Sequence, residues 1–193
     1  RAMYYYCLTS VFGDVPFYTE PSNIEDLFLP RTAKSTVLAQ AESDLKDAVA
    51  NLPAKTWSAN GHRVSKYVAA MILADVYFYQ GKYADAASAI QTVLNSEHAL
   101  TAHNAEITAA NYEETKLESA WNQLRTTDDL AETIYAYEYD GNVSKASRWS
   151  PMAFDAAILA FKGVKYSIAE RIYGPIPSYL NVYEEGDMRA LPN

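Results

Sequence analysis

The stretch from Ser65 to Asn95 constrains the fold more than any other part of the chain. Apolar residues recur at helical spacing on both sides of Gly81, which is typical of two amphipathic helices joined by a tight turn. Ser65 is a favourable N-cap for the first helix, and the second helix begins near Tyr83. Because the link is so short, the two helices are predicted to be antiparallel neighbours.

This pair matches a tetratricopeptide unit, in which small residues let two helices approach and bulky residues fill the space beside them. The matching residues are Leu73, Ala74, Tyr77, Gly81, Tyr83, Ala86 and Ile90. The first helix is expected to bury Tyr67, Ala70, Met71, Ala74, Tyr77 and Phe78. The second is expected to turn inward Ala86, Ala87, Ile90, Val93 and Leu94.

A second pair is predicted upstream, with a long connection between its helices. One helix covers residues 1–12 and ends at Gly13, and the other runs from about Thr32 or Ser35 to Leu52. Residues 14–31 carry three prolines and are interpreted as an extended loop. An ordinary tetratricopeptide repeat has a tight turn at this place, so the insertion is informative.

The rest of the chain is less regular. We predict a loop over residues 96–111, a helix over 113–126 with Trp121 in the core, and a strand or extended segment over 134–139. Turns at 140–150 precede helices near 151–161 and 178–183. The predicted fold is all-α, with tetratricopeptide-like antiparallel helix pairs and long decorated loops. It forms a single domain, with units at about 1–53 and 63–96 and a loop-rich ligand side at about 97–193.

Charge and composition exclude several classes of protein. The formal net charge is −8 and the 16 basic residues are scattered, which argues against binding to nucleic acid or to anionic lipid. No apolar run approaches the roughly 18 residues of a membrane helix. Cys7 is the single cysteine, so it forms no intrachain disulfide, and we expect a small buried thiol.

The sequence carries no enzyme motif that we recognise. It lacks a Gly-x-Ser-x-Gly elbow, a His-Glu-x-x-His pair and a phosphate-binding glycine loop. His62, His98 and His103 lie in loops without ligands at metal spacing, and the paired acids are adjacent rather than facing. We therefore predict no catalytic residue, no metal and no cofactor.

One segment combines aromatic rings with polar side chains, as sugar recognition requires. Its residues are Tyr139, Asp140, Asn142, Arg148 and Trp149, which we interpret as candidate ligand contacts. The alternative is a surface loop with Trp149 tucked into the core. Trp57 is a second candidate, with fewer polar neighbours in sequence.

Several blocks, in order, resemble the SusD/RagB family of outer-membrane nutrient-binding lipoproteins. These blocks are Arg1-Ala2-Met3-Tyr4-Tyr5-Tyr6 with Phe12-Gly13-Asp14-Val15-Pro16; Arg31 with Asp44-Leu45 and Ala48; Gly61, Arg63, Val64 and Ser65; Ala69-Ala70 with Leu73-Ala74; Tyr77, Gly81, Tyr83 and Ala86; Glu132-Thr133-Ile134-Tyr135; and Leu180, Tyr183, Asp187 and Arg189. His62 is an extra residue within them, and the family's amino-terminal stretch and large carboxy-terminal part are not matched. We therefore expect a fragment of a longer protein.

The resemblance implies a binding protein and not an enzyme. Family members capture glycans, or sometimes oligopeptides, at the cell surface and cap a SusC-like TonB-dependent transporter. The resemblance implies contact with the outer membrane only through a lipidated amino terminus outside this chain. Two alternatives are a generic tetratricopeptide module that binds a protein, and a polysaccharide-processing enzyme, which would need carboxylates facing across a cleft.

Overall fold

The computed structural model describes residues 1–20, 28–108, 110–138 and 182–184. The predicted helix at 151–161, and most of the one at 178–183, lie outside these residues. The chain divides into two compact units, one formed by 1–104 and 119–136 and the other by 105–118 and 137–193. The helical scaffold belongs to the first unit.

Four helices build this scaffold, and each packs against the next along the chain. They are α1 (Ala2–Phe12), α2 (Lys34–Asn51), α3 (Lys66–Tyr79) and α4 (Tyr83–Leu94). Helix α3 lies between α2 and α4, with Ser65 at its N-cap and Gly81 in the turn to α4 at a φ of 77°. The predicted all-α, tetratricopeptide-like fold is confirmed.

The position of α3 between two other helices explains where the hydrophobic core forms. A helix with neighbours on two sides buries most of its surface, and α3 is apolar over nearly its whole circumference. The main core cluster consists of Ala2, Ala41, Leu45, Ala69, Leu73, Val76, Tyr77 and Ala86. It joins side chains from all four helices.

Three residues of the predicted inward set face solvent instead. Phe78, Ala87 and Leu94 are exposed, so their predicted burial is wrong. Ala87 and Leu94 are exposed because α4 packs mainly against α3 and buries only a narrow stripe containing Ala86 and Val93. Phe78 lies near the end of α3 and contacts the exposed ring of Tyr83 edge-on, with centroids 5.3 Å apart. Periodicity predicted the apolar positions but not how many neighbours would cover them.

The connection between α1 and α2 folds back on itself more than the predicted extended loop. Val15–Pro16 (β1) pairs antiparallel with Arg31–Thr32 (β2). Asp14 accepts a hydrogen bond at 2.8 Å from the amide of Lys34, the first residue of α2. This carboxylate satisfies one of the unpaired amides at the start of α2.

Helix α1 is an outer helix, and this position explains why Cys7 is exposed. Ala2 and Thr9 are buried on one face of α1. Cys7 lies on a different face, and Tyr4, Val11 and Phe12 also face solvent. The predicted burial of the Cys7 thiol is therefore wrong.

The helix predicted over residues 113–126 is interrupted. A short helix α5 (Tyr112–Thr115) and a 3₁₀ turn (Lys116–Glu118) lie in the second unit, and α6 (Ala120–Thr126) lies in the first. The chain restarts at Ser119, whose hydroxyl accepts a hydrogen bond at 3.2 Å from the amide of Asn122. The restart changes the helical phase, so Trp121 is 52% exposed and its predicted place in the core is wrong.

Residues 134–138 form no paired strand, so the strand interpretation of this segment is not supported over the described residues. Within the described parts of the chain, no helix is long and apolar enough to cross a bilayer.

Candidate functional site

The five residues predicted to contact ligand, Tyr139, Asp140, Asn142, Arg148 and Trp149, lie outside the described residues. Their role therefore stays a prediction. The structure does describe the stretch of chain that leads to them, residues 127–136, and how this stretch is attached to the helical scaffold.

The first attachment joins this stretch to the loop that follows α4. His98 bonds through Nδ1 to the carbonyl of Ala131 at 2.8 Å, and Glu132 accepts a bond from the amide of Thr101 at 2.7 Å. A carbonyl only accepts hydrogen bonds, so Nδ1 of His98 carries the proton. The His98 ring also meets Tyr67 edge-on, with centroids 5.1 Å apart. Glu132, the first residue of the Glu-x-Ile block, thus closes a link across the first unit.

The second attachment is an ionisable pair that the sequence did not reveal. His62 bonds through Nε2 to a carboxylate oxygen of Asp129 at 2.9 Å. Both residues adopt positive φ angles, 56° and 61°, in the left-handed region that non-glycine residues visit rarely. The two partners lie far apart in sequence, and no local motif marks such a pair.

Trp57 completes this second attachment. Its ring stacks on His62 with centroids 5.7 Å apart, and it meets Tyr135 edge-on at 5.0 Å. Trp57 is 4% exposed, so its ring packs against protein and presents no open face to a sugar. The structure therefore does not support Trp57 as the second ligand candidate, because the ring holds Tyr135 and His62 in place.

The three histidines serve hydrogen bonds in the first unit. His103 accepts a bond through Nδ1 from the amide of Ala120 at 3.1 Å, and His62 and His98 have the partners given above. Among the described residues, no group of three or more histidine, cysteine, aspartate or glutamate side chains could hold a metal ion.

Two groups of charged residues connect the helices of the first unit through hydrogen bonds and ion pairs. Arg1 binds Asp44 through two nitrogens, at 2.7 and 2.5 Å, and this hydrogen bonding lowers the pKa of Asp44. Arg1 also donates to the carbonyl of Thr19 at 2.8 Å. One guanidinium therefore joins α1, the connection that follows it, and α2.

The second group centres on Glu42, which accepts hydrogen bonds at 2.6 Å from both Lys46 and Lys82. Burial raises the pKa of Glu42, but the two lysines outweigh this effect and leave the pKa below its usual value. Both ammonium groups lie 5.7 Å from the ring centroid of Tyr77. This group ties α2 to the turn between α3 and α4.

Helix α6 is held against the scaffold through polar contacts. Besides the bond from Ala120 to His103, the side-chain amide of Gln123 donates to the carbonyl of Ala102 at 2.9 Å. Asn122 is buried, while Trp121 and Leu124 are exposed. The polar face of α6 therefore turns inward and its apolar face turns outward.

The helical scaffold is similar to proteins of one known family. The SusD-like family model described as "Starch-binding associating with outer membrane" matches residues 1–78. A SusD-like protein of Formosa agariphila is 30% identical over 115 residues, covering 58% of this chain and 22% of that protein. The chain thus spans about a fifth of the length of this curated relative.

Two solved structures extend the comparison. A laminarin-binding SusD-like protein is 30% identical, has a TM-score of 0.52, and is matched over 70% of this chain and 28% of its own. A SusD-like protein from Bacteroides fragilis has a TM-score of 0.57 at 23% identity, over 75% of this chain and 27% of its own, and supports the fold alone. These matches agree with the resemblance seen in the sequence blocks, and they show that the chain is similar to SusD-like proteins.

Proposed function

We propose that the protein to which this chain belongs captures a glycan, or an oligopeptide, at the cell surface and delivers it to a TonB-dependent outer-membrane transporter. The observation that carries the proposal is the match to a laminarin-binding SusD-like protein at 30% identity over 70% of this chain. The description of the matching family as starch-binding supports a carbohydrate ligand over a peptide. The proposed role is binding without catalysis.

The same family description, which includes association with the outer membrane, supports the proposed location at the cell surface. We propose a SusC-like transporter as the protein partner and a lipidated amino terminus outside these 193 residues as the anchor. Both proposals rest on the family and not on a contact within this chain.

The connection between α1 and α2 favours this proposal over a generic tetratricopeptide module. Such a module joins its two helices by a tight turn. Here the chain leaves α1 at Phe12, forms the β1–β2 pair and reaches α2 at Lys34, with Asp14 capping α2. This decorated connection is what separates the SusD-like scaffold from a plain repeat.

The proposed ligand contacts are Tyr139, Asp140, Asn142, Arg148 and Trp149. The His62–Asp129 bond and the Trp57–Tyr135 contact support this choice, since they attach the preceding residues to the scaffold. A ligand loop with a fixed base loses less conformational entropy on binding than one that leaves a mobile segment.

Affinity electrophoresis of the full-length protein in native gels with laminarin or starch tests the proposal. The wild-type protein should be retarded, and Trp149→Ala should abolish the retardation with an unchanged melting temperature. Tyr83→Ala is the matched control, because Tyr83 is a 63% exposed aromatic on the helical scaffold. This control should remain retarded.

Each failure has a separate meaning. Retardation of Trp149→Ala equal to that of the wild type would remove Trp149 from the ligand contacts and leave glycan binding intact. A wild-type protein that no polysaccharide retards, but that binds oligopeptides in a peptide-array assay, would replace the carbohydrate ligand by a peptide. A protein that binds neither would refute the proposed function.

A further inference from the structure

Helix α6 has the reverse of the usual distribution of polar and apolar residues. A helix at the surface of a scaffold normally turns its apolar face inward. In α6 the buried position is Asn122, while Trp121 is 52% exposed and Leu124 is 42% exposed. An indole is among the largest apolar groups in proteins, so its exposure beside a buried amide requires an explanation.

Polar anchoring explains how α6 stays in this orientation. Ser119 caps the helix by accepting from the amide of Asn122 at 3.2 Å, and His103 accepts from the amide of Ala120 at 3.1 Å. Gln123 donates to the carbonyl of Ala102 at 2.9 Å. These bonds hold the inward face of α6, and 52% of Trp121 stays exposed on a helix attached at both Ala120 and Gln123.

The exposed apolar face of α6 is small, and its size points to the kind of ligand. It consists of Trp121 and Leu124 among the described side chains of α6. Stable protein interfaces bury roughly 1,200–2,000 Å² in total, which is far more than these two side chains can provide. One indole face instead matches one pyranose ring, whose axial C–H groups pack on aromatic rings.

The surroundings of Trp121 also suit a sugar. Since His103 accepts a hydrogen bond through Nδ1, the neutral ring carries its proton on Nε2. His103 is exposed, so this N–H can donate to a hydroxyl group beside the first residue of α6. An aromatic ring accompanied by such a donor is what recognition of a neutral sugar needs.

We propose that Trp121 forms a carbohydrate-stacking subsite that holds one pyranose ring of a glycan, with His103 as a hydrogen-bond donor to that sugar. The subsite rests on the proposed glycan binding and adds a contact outside the residues 139–149 predicted from sequence. It accounts for the outward indole, the inward polar face and the rigid attachment of α6 together.

Hydroxyl-radical footprinting of the full-length protein, read residue by residue by mass spectrometry, tests the subsite without any substitution. Laminarin is the first probe, and starch is the second if laminarin does not retard the wild-type protein in native gels. Trp121 should be oxidised readily without polysaccharide and protected when it is added. Tyr83, which is 63% exposed on α4, should be oxidised equally in both conditions.

Substitutions give an independent measurement. Trp121→Ala should weaken polysaccharide binding about tenfold, while Trp121→Phe, which retains a ring, should lose much less. Tyr83→Ala is the control and should bind as the wild type does. Trp121 is half exposed and lies outside the described core clusters. Melting temperatures of Trp121→Ala and Trp121→Phe are measured beside the binding assay, so that the loss of binding is compared between variants of equal stability.

The outcomes separate this inference from the proposed function. If the wild-type protein binds polysaccharide but Trp121 is oxidised equally with and without it, the subsite is refuted and glycan binding stands. Trp121 already protected without polysaccharide would mean that another part of the protein covers it, which also refutes the subsite. If no polysaccharide binds, the subsite is refuted together with the carbohydrate ligand, whereas the proposed function is refuted only if oligopeptides do not bind either.

Discussion

The crossing of α3 and α4 can be tested by one pair of substitutions at neighbouring positions. Ala86 and Ala87 are adjacent on α4, but Ala86 is 5% exposed and lies in the core cluster, whereas Ala87 faces solvent. Leucine at position 86 would place three further carbon atoms where α4 meets Leu73 and Val76 of α3. Ala86 is buried at the helix crossing, so the added volume must displace core side chains.

The expected magnitude follows from this lack of space. Inserting extra methylene groups into a packed core typically costs about 1–3 kcal/mol, and a buried site on a helix crossing belongs in the middle of this range. In urea unfolding of the 193-residue chain, followed by circular dichroism, the slope is about 1–3 kcal/mol per molar for proteins of modest size. A cost of about 2 kcal/mol therefore lowers the unfolding midpoint by about 1 M.

Ala87→Leu is the matched control, because it makes the same change one residue further on. A surface substitution of this kind should alter the free energy of unfolding by no more than about 0.5 kcal/mol. Equal midpoints for Ala86→Leu and Ala87→Leu would show that α4 does not approach α3 at Ala86. That result would refute the close crossing on which the tetratricopeptide-like interpretation rests.

Two further predictions concern polar contacts around α2. Asp44→Asn should destabilise the chain by about 1 kcal/mol at pH 7, since it removes the carboxylate that pairs with Arg1. Because this bond lowers the pKa of Asp44, its contribution is complete above the unfolded pKa of about 4 and is lost as the pH falls through the folded value. Urea midpoints of the wild type and the variant should thus converge from pH 7 towards pH 3, and a gap independent of pH would contradict the assignment. Asp14→Ala should cost about 1 kcal/mol by removing the acceptor for the Lys34 amide, while Asp14→Asn, which keeps an acceptor, should cost less; melting temperatures in the opposite order would exclude this cap.

The helical scaffold could be predicted because the residues that define each helix lie close together in the sequence. The spacing of Leu73, Ala74 and Tyr77 before Gly81, and of Ala86 after it, defines two helices and their crossing without reference to distant residues. Whether an apolar side chain is buried depends instead on which other elements pack over it. Leu94 has the right period for burial, but whether it is covered depends on a neighbour that periodicity cannot supply.

The site was less predictable for two physical reasons. Ser119, followed three residues later by Asn122, is an N-cap signal that divides one apparent helix and turns Trp121 outward, and it could have been recognised. The His62–Asp129 bond joins residues that are remote in sequence and both in left-handed conformations, so single-sequence reasoning had no means to find it.

Several of the residues that carry the family resemblance attach irregular connections to the helices. Asp14 caps α2, Arg1 joins α1 to Asp44, and Glu132 closes the link to Thr101. The small residues of the α3–α4 crossing are requirements of any tetratricopeptide pair, so they cannot by themselves distinguish this family. A long connection leaves more backbone groups to satisfy than a tight turn does, and specific polar side chains must satisfy them. These polar attachments therefore distinguish the chain from a plain tetratricopeptide pair better than the helix crossing does.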